Sequence, residues 1–223
     1  MKVCHLALTL CCSFIPLVAH SSGVQLDRTR VVMGEEKNEA FVEVANFLST
    51  PALVRTTFED LDGKAVESFM AIPPLYRLDS NKSNRIRIVN VDKLTDKHES
   101  VFYVRIVAYP GGEAVENSLR FGIGQRIKLF YRPKQIDYDS QEVAERLRWS
   151  YQKGFLKVEN PTALSISMTK IQVGEETMKA KMLLPHQSAT YQLQQKPLPS
   201  HKVLVTYVDE FGSYKQQTSK LEK

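Results

Sequence analysis

The chain has 223 residues, of which 43% are hydrophobic and 25% charged, and its formal net charge is +5. These proportions are typical of a folded globular protein and exclude an intrinsically disordered chain. The length allows one large domain or two domains of roughly 100 residues each. The basic residues are scattered, so the small positive excess gives no reason to expect a nucleic-acid partner.

The first element in chain order is a signal peptide over residues 1–22. Lys2 supplies a positive start, Leu6 to Val18 form an apolar run, and Ala19 to Ser22 offer small residues to a signal peptidase. A transmembrane helix needs about 20 apolar residues, so this run is too short, and we expect no membrane insertion elsewhere. The sequence therefore predicts export by a cleavable leader.

All three cysteines, Cys4, Cys11 and Cys12, lie inside this leader. Without it the chain keeps 29 basic and 25 acidic residues and has no cysteine. An exported protein without disulfides must be stabilised by its hydrophobic core.

Strand-length runs rich in Val, Ile, Phe and Tyr follow the leader, separated by turn signals such as Asp62-Gly63 and Asn160-Pro161. The runs are Phe41 to Ala45, Ala52 to Phe58, Arg85 to Val89, Val101 to Ala108, Leu119 to Tyr131, Phe155 to Val158, Ser165 to Val173, Ala189 to Leu193 and Val203 to Val208. Many short strands at such spacing predict an all-β fold made of β-sandwiches.

A domain boundary is indicated after Arg132-Pro133, where the first series of strands ends. The stretch that follows, Ser140 to Tyr151, has helical propensity instead. We therefore predict an N-terminal sandwich over residues 23–136 and a C-terminal sandwich over residues 137–223.

The segment Leu119 to Pro133 alternates with period two, which is typical of a strand with two different faces. Leu119, Phe121 and Ile123 share one face, and Gly122 and Gly124 lie on the other. The apolar row either fills the core of its own domain or is offered to a partner. Glycine within a strand often marks a close backbone approach, so a neighbour is expected to pack against the second face.

Catalytic and metal-binding patterns are missing from the sequence. It contains no Gly-x-Ser-x-Gly, no His-Glu-x-x-His and no glycine-rich phosphate loop. His98, His186 and His201 are dispersed and lack ligand spacing. We expect neither an enzyme nor a cofactor or metal.

Six segments together closely resemble, in order, the signatures of the periplasmic pilus-assembly chaperones of the chaperone-usher pathway. They are Leu26 to Val31, Ile72 to Leu78, Arg85 to Ile88, Glu99 to Tyr103, Ile127 to Pro133 and Glu159 to Thr162. The resemblance covers nearly all of the chain after the leader. The alternative is an exported pilus subunit or adhesin, but such a subunit usually carries a disulfide and an N-terminal extension of alternating apolar residues.

The resemblance implies two immunoglobulin-like sandwiches set in an L, with a cleft between them. It also implies a periplasmic chaperone that works without nucleotide and binds pilus (fimbrial) subunits. A subunit lacks the last strand of its sandwich, and the chaperone supplies one, which is donor-strand complementation. A further implied partner is an outer-membrane usher, which receives the subunit. The sequence leaves open whether a second copy of the chain caps the free strand.

The resemblance also assigns residues. The donor strand is Leu119 to Arg126, with Leu119, Phe121 and Ile123 filling the subunit groove. Arg30 and Lys128 bind the C-terminal carboxylate of the subunit. Spacing alone does not separate Arg30 from Arg28, and only the motif favours Arg30.

Finally, Glu99 and Arg132 match two members of a charged network that holds the two domains at a fixed angle in this family. The third member is an acid next to Phe211-Gly212, where the sequence offers Asp209 and Glu210. Distance to the glycine favours Glu210, whereas the family residue is more often Asp.

Overall fold

The computed structural model describes residues 23–111, 119, 121–194 and 201–221. The predicted leader lies outside this range, as do residues 112–118 and Arg120. Strands dominate the described residues, and their only helix is α1, Ser140–Arg146. No helix among them is long and apolar enough to cross a membrane.

The N-terminal domain contains nine strands in two sheets that face each other. The strands are β1 Val24–Leu26, β2 Arg30–Gly34, β3 Glu39–Asn46, β4 Ala52–Glu59, β5 Phe69–Ile72, β6 Leu75–Leu78, β7 Lys82–Asn90, β8 Ser100–Pro110 and β9 Ile123–Arg132. One sheet has the order β1-β3-β7-β5 and the other β2-β9-β8-β4-β6. Alternating residues of both sheets form one core, in which Met33, Ile86, Ile88 and Leu129 are fully buried.

The C-terminal domain contains the remaining seven strands, again in two sheets. The strands are β10 Arg148–Gln152, β11 Phe155–Glu159, β12 Ser167–Val173, β13 Glu176–Lys179, β14 Ser188–Gln192, β15 Lys202–Val208 and β16 Tyr214–Lys220. Their orders are β10-β11-β14 and β13-β12-β15-β16. A separate core lies between them around Trp149, Leu156 and Ile171, and it includes Ile136 from the connection. The predicted all-β fold of two immunoglobulin-like sandwiches is confirmed.

The stretch predicted as helical, Ser140 to Tyr151, is helical only in its first half. The Asp139 carboxylate caps α1 by accepting hydrogen bonds from the N–H groups of Gln141 and Glu142. The chain then turns extended, because Trp149 is fully buried in the second core and lies opposite Val158 in the β10–β11 hairpin. Packing of this large aromatic side chain overrides the local helical propensity.

The strand predicted at Leu119 to Tyr131 begins later, at Ile123. Its ladder with β8 ends at the pair Ala108 and Ile123. Two residues further along, β8 ends at Pro110, which has no N–H group to donate to a ladder. Leu119 and Phe121 therefore precede the hydrogen-bonded part of β9.

Candidate functional site

The apolar row predicted at Leu119, Phe121 and Ile123 is exposed. The exposed fractions of these residues are 85%, 76% and 43%, whereas Ile127 and Leu129, further along the same face of β9, are 8% and 0% exposed. The row therefore continues the core face of the strand beyond the end of its own core. The interpretation that the row fills the core of its own domain is wrong for these three residues.

The same part of β9 also has an unpaired edge. On one side β9 pairs with β8 from Ile123 onwards, but on the other side its pairing with β2 begins only at Lys128, opposite Arg30. Before that point, the described contact on this edge is a side-chain one, from Gln125 Nε2 to the Val24 carbonyl, at 2.6 Å. Unpaired backbone groups beside an exposed apolar row are a template for a further strand.

The glycines behind this row allow the close approach that the sequence predicts. A Cβ atom at Gly122 would lie 2.9 Å from the Tyr109 ring, closer than real Cβ atoms come. One at Gly124 would lie 3.4 Å from Val107, at the limit of ordinary contact. The face of the segment that carries the glycines therefore packs closely against side chains of β8, and its apolar face is exposed.

Two cations lie side by side where β2 joins β9. Arg30 and Lys128 are directly paired residues of the two parallel strands. Arg30 Nη1 donates to the Val208 carbonyl at 3.0 Å, and Lys128 Nζ donates to Ser167 Oγ at 3.2 Å. Since Val208 and Ser167 belong to the C-terminal domain, both cations lie in the cleft between the domains.

The electrostatics of this pair favour a bound anion. Burial, and then the neighbouring Arg30, lower the pKa of Lys128. Burial also lowers the pKa of Arg30, although Asp209 and Tyr214 oppose this. Within the described part of the chain neither cation forms an ion pair, and Arg30 Nε is buried without a hydrogen-bond partner. A carboxylate fits this arrangement, because a guanidinium fork and an ammonium both donate to it.

Arg28, the alternative that spacing left open, is placed differently. It lies between β1 and β2, in neither strand, and its guanidinium pairs with the adjacent Asp27 at 2.6 Å on the surface. The structure therefore brings Arg30, and not Arg28, together with Lys128.

A second charged cluster lies at the C-terminal end of β9. Arg132 Nη2 is 3.2 Å from Glu99 Oε1 and 2.5 Å from Glu210 Oε1. Glu99 is only 2% exposed, and its second oxygen accepts a hydrogen bond from the Ser165 N–H at 3.0 Å. The cluster thus joins residues of both domains.

The pKa shifts in this cluster reflect burial set against charge. Burial raises the pKa of Glu99, and Arg132 opposes the rise. Burial alone lowers the pKa of Arg132, but Glu99 and Glu210 outweigh it and the net shift is upward. Arg132 thus favours the charged form of Glu99 in a water-poor site.

Of the two acids offered by the sequence, Glu210 is the one that contacts Arg132. Asp209 instead accepts hydrogen bonds from the N–H groups of Phe211 and Ser213 and closes the β15–β16 turn. Its neighbour Gly212 sits so close to Thr29 of the other domain that a Cβ atom would lie 2.5 Å from Thr29 Oγ1.

Sequence reasoning missed the C-terminal side of the cleft. Ser167 and the Val208 carbonyl, which hold the two cations, lie in strands that carry no local signal for this role. Their position depends on how two separate domains meet, and neither spacing nor composition contains that information.

Comparisons with known proteins agree with this geometry. Residues 23–137 match the family model for the N-terminal domain of PapD, described as a pili and flagellar-assembly chaperone. Residues 142–219 match the model for the C-terminal domain of the pili assembly chaperone PapD. The chain therefore belongs to the PapD family of pilus-assembly chaperones.

Individual relatives lead to the same family. The chain is 30% identical over 225 residues to "Probable fimbrial chaperone LpfB" of Escherichia coli O157:H7, covering 98% of this chain and 96% of that protein. It is similar to the SafB chaperone of Salmonella enterica, solved in complex with the SafA pilin, at 25% identity and a TM-score of 0.79, with 92% and 99% of the chains covered. The chain is also similar to the chaperone DraB of E. coli, at 28% sequence identity and a TM-score of 0.79. The match covers 90% of this chain and 99% of the DraB chain. The chain is a fimbrial chaperone, and the alternative of a pilus subunit or adhesin is not supported.

Proposed function

We propose that this chaperone donates the segment Leu119 to Arg126, which leads into β9 and includes its first residues, to the open groove of a pilus subunit. The observation that carries the proposal is an exposed apolar row beside an unpaired strand edge. The edge supplies main-chain hydrogen bonds, and Leu119, Phe121 and Ile123 supply the missing core side chains. Full burial of each contributes about 1.5–3 kcal/mol, so the three together account for a large part of the affinity.

Arg30 and Lys128 set the register of this pairing by binding the C-terminal carboxylate of the subunit. A side-chain period of two means that a slip of one residue turns the whole row to the wrong face. A carboxylate held at one end of the strand prevents such a slip. The SafB chaperone, which was solved with a pilin, supports a subunit as the ligand.

Glu99, Arg132 and Glu210 hold the two sandwiches at a fixed angle, so that both walls of the cleft meet the carboxylate together. Export by the leader over residues 1–22 places the chain in the periplasm, where an outer-membrane usher accepts the subunit. Before a subunit arrives, a second copy of the chain covers the apolar row.

Co-expression with a candidate pilus subunit, followed by size-exclusion chromatography of a periplasmic extract, tests the proposal. We expect a soluble one-to-one complex, and a chaperone whose N-terminal sequence begins near residue 23. In the absence of the chaperone the subunit is expected to aggregate or be degraded. A subunit that remains equally soluble and abundant without the chaperone would contradict the proposed function.

A further inference from the structure

The outer face of the sheet β13-β12-β15-β16 carries lysines that lie opposite other lysines on neighbouring strands. The buried residues Ile171 and Val203 fix which face is inward, and the outward residues include Lys170 and Lys202. The register places Lys179 directly opposite Lys170 and Lys220 directly opposite Lys202. These four lysines and the outward side chains between them are called the basic face.

No acidic side chain shares this face within the described strands. The other outward residues are Gln172, Thr177, Leu204, Thr206, Val208, Tyr214, Gln216 and Thr218. Like charges directly opposite each other on neighbouring strands destabilise a sheet. Lys170 opposite Lys179 is such a pair, and an acidic partner would relieve its repulsion.

The basic face is continuous with the cleft. Ser167, Val208 and Tyr214 form one cross-strand row, and Ser167 Oγ accepts the hydrogen bond from Lys128 Nζ at 3.2 Å. An irregularity in β12 between Met168 and Lys170 keeps Lys170 on the same face as Ser167, opposite Thr206. Measured along β15 at about 3.3 Å per residue, Lys170 lies about 7 Å from the row of Ser167, Val208 and Tyr214. Lys202 lies about 20 Å from the same row.

We propose that the basic face is a second contact surface for the bound subunit, and that it favours subunits with acidic side chains beside their C-terminal carboxylate. This inference rests on the proposed function, because the carboxylate bound at Arg30 and Lys128 is what brings the subunit to this face. The apolar row of the donor segment distinguishes little between subunits, because any subunit groove that is apolar can accept it. Charge beside the anchor adds a means of choosing among subunits.

The test uses a pilus subunit with which the wild-type chain forms a one-to-one complex, and compares two double variants. Lys170→Gln/Lys179→Gln removes two charges from the basic face. Lys153→Gln/Lys157→Gln removes two exposed charges of the same domain from the opposite sheet and its turn. Association rates are measured by stopped-flow fluorescence at low and at physiological salt, since screening weakens surface charge effects.

We expect the basic-face variant to associate about threefold or more slowly at low salt, with a weaker salt dependence, while the control matches the wild-type chain. Equal rates and equal salt dependence for both variants would overturn the inference and leave the proposed function intact. The proposed function is tested separately, by whether the one-to-one complex forms at all, so the two failures are distinguishable.

Zero-length carbodiimide cross-linking of the purified complex gives an independent measurement. The carbodiimide adds to a carboxylate and forms an O-acylisourea. A lysine amine in contact then attacks the carbonyl carbon, which forms an amide and releases the urea. We expect peptides that join Lys170 or Lys179 to Asp or Glu of the subunit. Cross-links confined to other lysines, such as Lys157, would count against the basic face.

Discussion

The two halves of one strand segment, residues 119–123 and 127–131, have the same period-two apolar pattern and opposite environments. Ile127, Leu129 and Tyr131 lie in the N-terminal core, covered by the facing sheet. Leu119 and Phe121 continue the same face but are 85% and 76% exposed. The pattern of a strand therefore predicts which side chains need cover, and it does not say whether the cover comes from the same chain.

The largest effect is expected when the same charge is placed in each half. Leu129→Glu puts a carboxylate in a fully buried site, which costs several kcal/mol and is expected to unfold the N-terminal domain. Phe121→Glu is expected to keep the melting temperature of the free chaperone and to abolish subunit rescue. Thermal melts without subunit, combined with copurification, measure both. If Phe121→Glu also collapsed the transition, the donor-strand proposal would be wrong.

The end of β9 offers a second way to sharpen the comparison. Arg132→Glu would place a third carboxylate beside Glu99 and Glu210, and breaking a buried ion pair typically costs about 3–5 kcal/mol. We expect faster proteolysis and a changed small-angle scattering profile, with less effect on intrinsic groove affinity.

Lys134→Glu is the matched control for that variant. Lys134 lies two residues further along and pairs with Glu36 on the surface, so it is expected to behave like the wild-type chain. Wild-type protease resistance and scattering in Arg132→Glu would show that the charged cluster does not set the angle between the domains.

Arg30 and Lys128 lie where the second half of the segment meets β2, and their truncation is expected to affect mainly subunit binding. Truncating one member of a charged interface contact typically costs about 2–5 kcal/mol, so Arg30→Ala and Lys128→Ala should fold but fail to retain subunit. Lys128→Met should even stabilise the free chaperone, since it removes a partly buried charge next to Arg30. Copurification yields and melting temperatures test this, and wild-type yield from either alanine variant would contradict the assignment.

The sequence predicted the two sandwiches well because strand alternation and turn residues are local signals. The register of Arg30 against Lys128 and the choice of Glu210 over Asp209 required the fold, because both depend on contacts between distant strands. Trp149 shows the same limit within one segment. The helical propensity of Ser140 to Tyr151 contains no information on the second core, in which Trp149 is buried as part of a strand.

The smallest predicted effect is a pH dependence of subunit binding. Burial and Arg30 lower the pKa of Lys128 in the free chaperone, and a bound carboxylate would raise it again. Binding therefore takes up a proton at any pH between the free and bound pKa values. Affinity is full below the free pKa and declines as the pH rises from there to the bound pKa.

Lys128→Arg isolates this effect, because a guanidinium stays charged throughout the alkaline range. Its affinity for subunit is expected to be lower than that of the wild-type chain, since the fork replaces a point charge, but nearly independent of pH. Titration calorimetry from neutral to alkaline pH, limited to the range in which the free chaperone keeps its melting transition, compares the two proteins. Parallel pH profiles would mean that the proton is taken up elsewhere and that the lysine at this position does not contact the subunit carboxylate.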